Sequence, residues 1–317
     1  MTEDQRRVLI IAHTGRDAAN KVAVAFATAM AAERIAVRVV DEDADRLRRW
    51  GLTDAEVVPS APAAGQGCEL AVVFGGDGTL LRAAELVRDC GTPLVGVNLG
   101  HVGFLAEADV DDLDFTVRRL VERAYVVEER MTVDTRVLVG DVEVASGWAL
   151  NEASVEKAAR ERMLELVVAV DDRPLSRWGC DGVVCATPTG STAYNFSAGG
   201  PVVWPEVEAL LMVPISAHAL FARPLVVSPR SKLSIQVIPD ASAAAVLWCD
   251  GRRTYDLPPG AKVEITQGER PVRLARLHRA PFTDRLVAKF DLPVSGWRGS
   301  AARRMAVEDS ETFEDEG

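Results

Sequence analysis

The chain has 317 residues, with 36 Lys and Arg against 47 Asp and Glu and a formal net charge of −11. That acidity excludes a broad basic face for nucleic acid, and no apolar run reaches the roughly 18 residues of a membrane span. With 48% apolar residues and no signal-peptide pattern after "MTEDQRRVLIIAHTG", the chain reads as a cytoplasmic globular protein of two domains.

From Arg7 to Asp41 the sequence runs through an apolar stretch "VLIIA", a turn "HTGRD", an alanine-rich helical stretch and a second apolar run "IAVRVV", a β-α-β unit. Gln66 to Asp89 repeats the scheme: "ELAVVF" as strand, a glycine turn "GGDGT", and "LLRAAELVRD" as an amphipathic helix, with "TPLVGVNL" as the next strand. Leu80, Leu81, Ala84 and Val87 give that helix an inward face, and Asp77 or Thr79 is placed to cap it. "ADVDDLDFTVRRLVER" reads as a surface helix closing this half. Beyond Tyr125 short alternating runs bounded by Asp, Gly and Pro predict a β-rich second half. The fold class predicted is an α/β N-terminal domain with a parallel Rossmann-like sheet plus a β-rich C-terminal domain. Its divisions are 1–124 for the α/β part, 125–276 for the β-rich part, 277–297 for a C-terminal segment, and 298–317 for a disordered tail.

In an open parallel sheet, ligands sit outside the carboxyl ends of the strands, which is where Gly75, Gly76, Asp77 and Gly78 fall. Bare backbone there permits close approach, and the helix that follows offers amide groups to a phosphate. A turn with a capping Asp explains the same four residues equally well. No Walker loop and no Gly-x-Gly-x-x-Gly spacing is present. Two later stretches favour a ligand site: "WALNEASVEK", which sets Asn151 beside Glu152, and "GCDGVVCATPTGSTAYNFSAGGP". The second gathers the hydroxyls of Thr189, Ser191, Thr192, Tyr194 and Ser197 around an aromatic face, a set suited to a nucleoside. The four histidines, His13, His101, His218 and His278, lack metal-ligand spacing, although His13 follows the first strand and could face donor phosphates. The five cysteines form no CxxC pair and read as reduced structural thiols.

"GGDGTLL", the Asn-Glu of "ALNEASVEK", "DGVVCATPTGSTAYNFSAGGP" and "CDGRR", in that order, resemble the NAD kinases, especially the actinobacterial branch, from about Val8 to Trp297. The resemblance implies transfer of a phosphoryl group from ATP, or inorganic polyphosphate, to the 2′-hydroxyl of the adenosine ribose of NAD. It implies Asp77 as the catalytic carboxylate, with Gly75, Gly76 and Gly78 beside the dinucleotide. Asn151 and Glu152 would hold the adenosine part, and Asp181, Thr192, Ala193, Tyr194, Asn195, Phe196 and Ser197 would supply further contacts. Arg82 and Arg162 correspond to basic ligand contacts, whereas His101 stands where many relatives carry arginine and is given no role. A divalent cation, Mg²⁺, is implied at the donor phosphates without protein ligands assigned to it. A homo-oligomer, dimer or tetramer, is implied as well, with no nucleic-acid or membrane partner, and so is a return of the segment 277–297 to pack on the first domain. Two other readings are a lipid or sugar kinase using the same glycine turn, and a dinucleotide-binding regulator without catalysis.

Overall fold

The structure, a computed structural model, describes residues 5–13, 15–98, 103–105, 108–109, 113–159, 163–238, 244–278 and 281–294. His101, Arg162 and the tail 298–317 lie outside these residues.

Strands β1 (Arg7–Ala12), β2 (Ala36–Val40), β3 (Glu56–Val58), β4 (Leu70–Phe74) and β5 (Leu94–Asn98) lie in the order β3-β2-β1-β4-β5, every ladder parallel. Successive side chains of a strand face opposite ways, and both faces here are apolar. Val8, Ile10 and Val72 pack on Phe26 and Met30 of α1 (Asp17–Ala32) and on Leu120 of α4 (Leu113–Val121). Leu9, Ile11, Ala71 and Val73 pack the other way, on Leu80, Ala84 and Val87 of α3 (Asp77–Val87). Each such side chain contributes about 1.5–3 kcal/mol of burial, so the doubly wound arrangement follows from the two-sided apolar strands. Helix α2 (Asp41–Arg49) has Asp41, Glu42 and Asp43 in its first turn and basic residues in its last, matching its dipole. The strand order reverses between β1 and β4, which opens a crevice at their carboxyl ends.

The short β6 (Ala108–Asp109) pairs with β5, and two further strands extend the sheet: β20 (Val272–Arg276) parallel to β5, and β7 (Val126–Arg130) antiparallel to β20. The alternation pattern assigned both to the β-rich half. Alternation shows that a strand is half-buried but not which sheet supplies its neighbour, so the chain re-enters the first sheet at Val272 rather than after Arg276.

The second half is a sandwich. One sheet orders β15 (Leu225–Val227), β14 (Leu210–Ile215), β13 (Gly182–Ala186), β10 (Glu152–Lys157), β17 (Ala245–Cys249) and β18 (Arg253–Leu257). The other orders β12 (Arg173–Cys180), β11 (Leu164–Val170), β16 (Leu233–Val237), β19 (Ala261–Gln267), β8 (Val133–Val139) and β9 (Val142–Ala149). Their inner faces share one core containing Trp178, Leu166, Ile235, Val183, Met212 and Leu247. All five cysteines are free, and burial pushes the Cys180 thiol up to about 12, as expected of inert packing thiols.

Two features join the halves. Trp148 is sandwiched between the guanidinium groups of Arg88 and Arg253, each 4.5 Å from the ring centre, while Arg88 pairs with Asp134 at 3.0 Å and Arg253 with Asp250 at 2.9 Å. Helix α6 (Phe282–Phe290) lies across the seam, with Phe290 4.6 Å from the Phe196 ring and 5.9 Å from Phe104, and Phe282 5.3 Å from Trp204.

Candidate active site

At the carboxyl end of β4 the chain turns through Gly75 and Gly76 into α3. A side chain at Gly75 would collide with Thr79, so that glycine is a packing requirement. Gly76 and Gly78 have nothing within 4 Å of a would-be Cβ. Their bare backbone faces open space, as a site for a bulky ligand demands. The predicted side-chain cap does not form: Gly76 is the N-cap, without a side-chain hydrogen bond. The Asp77 carboxylate is engaged elsewhere, accepting the amides of Phe104 at 3.2 Å and Leu105 at 3.1 Å. Thr79 is buried against Gly75. The first amides of α3 are thereby left to an anion. Gly103 completes the arrangement, since a Cβ there would lie 2.5 Å from Oδ1 of Asp77.

Around this turn opens a pocket of about 600 Å³ with a pronounced charge bias. Asp77 is the one carboxylate among its described lining residues, faced by Arg16, Arg82, Arg252 and Lys289, with His13 also at the wall. Arg82 is aimed by Asp43 at 2.8 Å and Glu42 at 3.1 Å. Burial works against its charge, yet those carboxylates hold it above the ordinary guanidinium value. Arg252 reaches in from the turn between β17 and β18, where Asp250 (φ 54°) and Gly251 (φ 62°) form a tight hairpin, and Glu85 of α3 holds it at 2.9 Å.

The Asn-Glu pair opens β10. Asp250 accepts the amides of Leu150 at 2.9 Å and Asn151 at 2.7 Å, which fixes the backbone there. Gly190 lies so close to the Asn151 carbonyl that any Cβ would overlap it, so the "TPTGST" turn is pressed against the pair. Glu152 is 7% exposed, and its Oε2 has no hydrogen-bond partner among the described residues. Burial, reinforced by the Asp250 charge, pushes its pKa up to about 8 against the opposing Tyr194 amide. Both effects favour the neutral acid, which can exchange hydrogen bonds with hydroxyl groups.

After β13 a 3₁₀ turn (Thr189–Thr192) leads to the short helix α5 (Tyr194–Ser197). The Tyr194 ring lies along β10, with its amide toward Glu152 and its hydroxyl bonded to Glu156. Not every hydroxyl of the predicted set is free for a ligand. Ser191 is fully buried and both donates to and accepts from Val203, and Asn195, also fully buried, gives its amide nitrogen to the carbonyls of Ser191 and Pro201. These two hold the loop. Thr192 faces a neighbouring cavity, the exposed Phe196 rests on Phe290, and Ala193 and Ser197 lie at the surface of the turn. Asp181 is apart: it pairs with Lys157 at 2.5 Å at the far end of β10, roughly 17 Å along the strand from Glu152 by strand rise.

The chain matches the ATP-NAD kinase N-terminal domain over residues 8–125 and the ATP-NAD kinase C-terminal domain over residues 150–277. The chain belongs to the NAD kinase family. An NAD kinase of Thermobifida fusca is 59% identical over 305 residues, 94% of this chain and 93% of that one; NAD kinase 2 of Streptomyces coelicolor is 60% identical over 95% and 99%. Among solved structures, an Archaeoglobus fulgidus NAD kinase in complex with ATP is 26% identical with a TM-score of 0.68, covering 90% of this chain and 98% of its own. A yeast NADH kinase complexed with NADH shares the fold at 22% identity, with a TM-score of 0.81 over 93% and 90%. The protein is thus a phosphotransferase with the two-part NAD kinase fold, not a lipid or sugar kinase.

Within this kinase, Arg16, Arg252, Lys289 and Asn98 at the Asp77 pocket went unrecognised in the sequence. Arg16 sits in the first strand-to-helix turn and Arg252 in "CDGRR", so position and motif were signals for both. Lys289 arrives only through the return of α6, which has no local signature.

Proposed function

We propose that the Asp77 pocket takes the phosphates of ATP and that Asn151, Glu152 and the Thr192–Ser197 turn take the adenosine half of NAD, so that the ribose 2′-hydroxyl meets the terminal phosphate beside Asp77. The observation that carries this reading is the single carboxylate, held by two backbone amides, inside a ring of cations. The 2′-oxygen forms a bond to the terminal phosphorus, the bond from that phosphorus to the bridging oxygen breaks, and ADP departs. The hydroxyl proton passes to Asp77. A loose transition state asks little proton removal before the new bond forms, so Asp77 need only orient the hydroxyl and accept its proton late.

Mg²⁺ would be held by the donor-phosphate oxygens and water, with Asp77 as the one carboxylate among the described residues that line the pocket. When bound, the cation supplies charge neutralisation on the donor phosphates. The arginines, Lys289 and the first amides of α3 share that task.

Asp181 is too far along β10 to reach the same end of a dinucleotide as Glu152. We therefore read the protein as a homo-oligomer in which Asp181 of one subunit completes a site on another. No helix among the described residues is long and apolar enough to cross a membrane. Initial rates with NAD and Mg²⁺, using ATP and then polyphosphate, test the activity and its donor. Failure to form NADP with either donor would overturn the proposal.

A further inference from the structure

The two carboxylates that meet Arg82 are unequal in a way the chemistry above leaves unused. Asp43, in the first turn of α2, has a side chain 1% exposed, whereas that of Glu42 beside it is 64% exposed. The buried carboxylate is held on both oxygens. Its Oδ1 accepts Nη2 of Arg82 at 2.8 Å, and its Oδ2 accepts Nη1 of Arg82 at 3.3 Å together with the amide of Ala12 at 3.1 Å. Nη1 donates in turn to the Ala12 carbonyl at 3.4 Å. One side chain thus ties α2, the last residue of β1 and α3 into a single frame, with the Arg82 guanidinium at its centre and on the wall of the Asp77 pocket. A two-pronged carboxylate grip fixes the plane of a guanidinium, which one contact alone does not.

Glu42 makes the contrasting contact, a single bond of 3.1 Å to Nη2 from a side chain in solvent. An exposed pair of that kind is weakly held, so its place on Arg82 is open to exchange with a phosphate oxygen. We propose that Asp43 is a positioning residue for the phosphoryl donor, holding Arg82 with its guanidinium presented to the donor phosphates, while Glu42 occupies the N–H that those phosphates take. This rests on the reading that the Asp77 pocket takes the phosphates of ATP. The proposal carries a sign that charge alone does not give. Both acids lie beside a pocket for an anion, so simple repulsion makes the loss of either one strengthen ATP binding. Positioning makes the loss of Asp43 weaken it, since the guanidinium is then free to leave the pocket wall, and makes the loss of Glu42 neutral or favourable.

Steady-state kinetics of the full chain, with ATP varied at saturating NAD and Mg²⁺, test this. Asp43→Asn, of the same shape without the charge, raises KM for ATP tenfold or more with kcat within threefold of wild type. Glu42→Gln leaves KM for ATP at or below the wild-type value. Combining Asp43→Asn with Arg82→Gln gives a KM within twofold of Arg82→Gln alone, because Asp43 acts through Arg82. A merely structural role would lower Tm and the active fraction, and so kcat, with KM unmoved. If Asp43→Asn does not fold, Asp43→Ser takes its place. The proposal is overturned if Arg82→Gln raises KM for ATP and the Asp43 variant does not, or if the two effects multiply in the double variant. If Arg82→Gln itself leaves KM unchanged, the placing of ATP at Arg82 falls first and takes the proposal with it, which tells the two failures apart.

Discussion

Two carboxyl groups in this molecule owe opposite characters to their surroundings. Asp77 sits in an open, cation-rich pocket with two amides on its oxygens, whereas Glu152 is buried beside another acid. Asp77→Asn is expected to lower kcat by about two to four powers of ten while NAD affinity, read by titration, changes little. Loss of NAD binding with normal turnover would show that the residue is a ligand contact and not the proton acceptor. For Glu152 the folded value of about 8 exceeds the ordinary 4.5, so between those limits the folded chain holds a proton that the unfolded chain has released. Stability therefore falls as pH rises through that window, and Glu152→Gln should flatten the slope of Tm between pH 6 and 9, with a gain on the order of 1–3 kcal/mol at the alkaline end. An unchanged slope would mean that Glu152 is charged in the folded protein. Asp77 was legible because strand, glycine turn and helix are contiguous in "AVVFGGDGTLL". The raised pKa of Glu152 was not, since it depends on burial and on Asp250, almost a hundred positions away in the chain.

At the scale of elements, the glycines sort into two kinds that sequence cannot distinguish. Gly190 presses the "TPTGST" turn onto the Asn151 carbonyl, so Gly190→Ala must displace one backbone from another. A cost of about 1–3 kcal/mol or more is expected, visible as a Tm lower by several degrees. Gly78 faces only open space in the first turn of α3, and Gly78→Ala should keep or slightly raise Tm while cutting kcat/KM with NAD and ATP, because the methyl occupies room the ligand needs. If both variants melt like wild type, the close approach at Gly190 is not tight in solution. The alternating and apolar runs predicted most strands and the inward face of α3, since those patterns report burial directly. They could not assign β7 and β20 to the first sheet, or reveal that Ser191 and Asn195 hold their own loop, because both facts rest on contacts between distant segments.

For the whole molecule, the separation of Asp181 from Glu152 leads to a test with mixed chains. Asp77→Asn and Asp181→Ala, each deficient alone, should regain activity when co-refolded, because some sites then take an intact Asp77 from one chain and an intact Asp181 from another. Absence of recovery in an oligomer shown to contain both chains would place the whole site within one subunit. The doubly wound half and the β-rich half were readable as textures of sequence, one with two-sided apolar strands and glycine turns, the other with short alternating runs. The way the halves lock, through Trp148 between two arginines and α6 across the seam, was not readable, as no single segment contains it.

That β20 pairs beside β5 has a bearing on how the polypeptide is born. At about 5–20 residues per second, a ribosome takes roughly ten to forty seconds to travel from the end of β5 to the start of β20. Throughout that interval the nascent sheet carries much of an open flank capable of sticking to a neighbouring chain. Only β20, late in the chain, seals it.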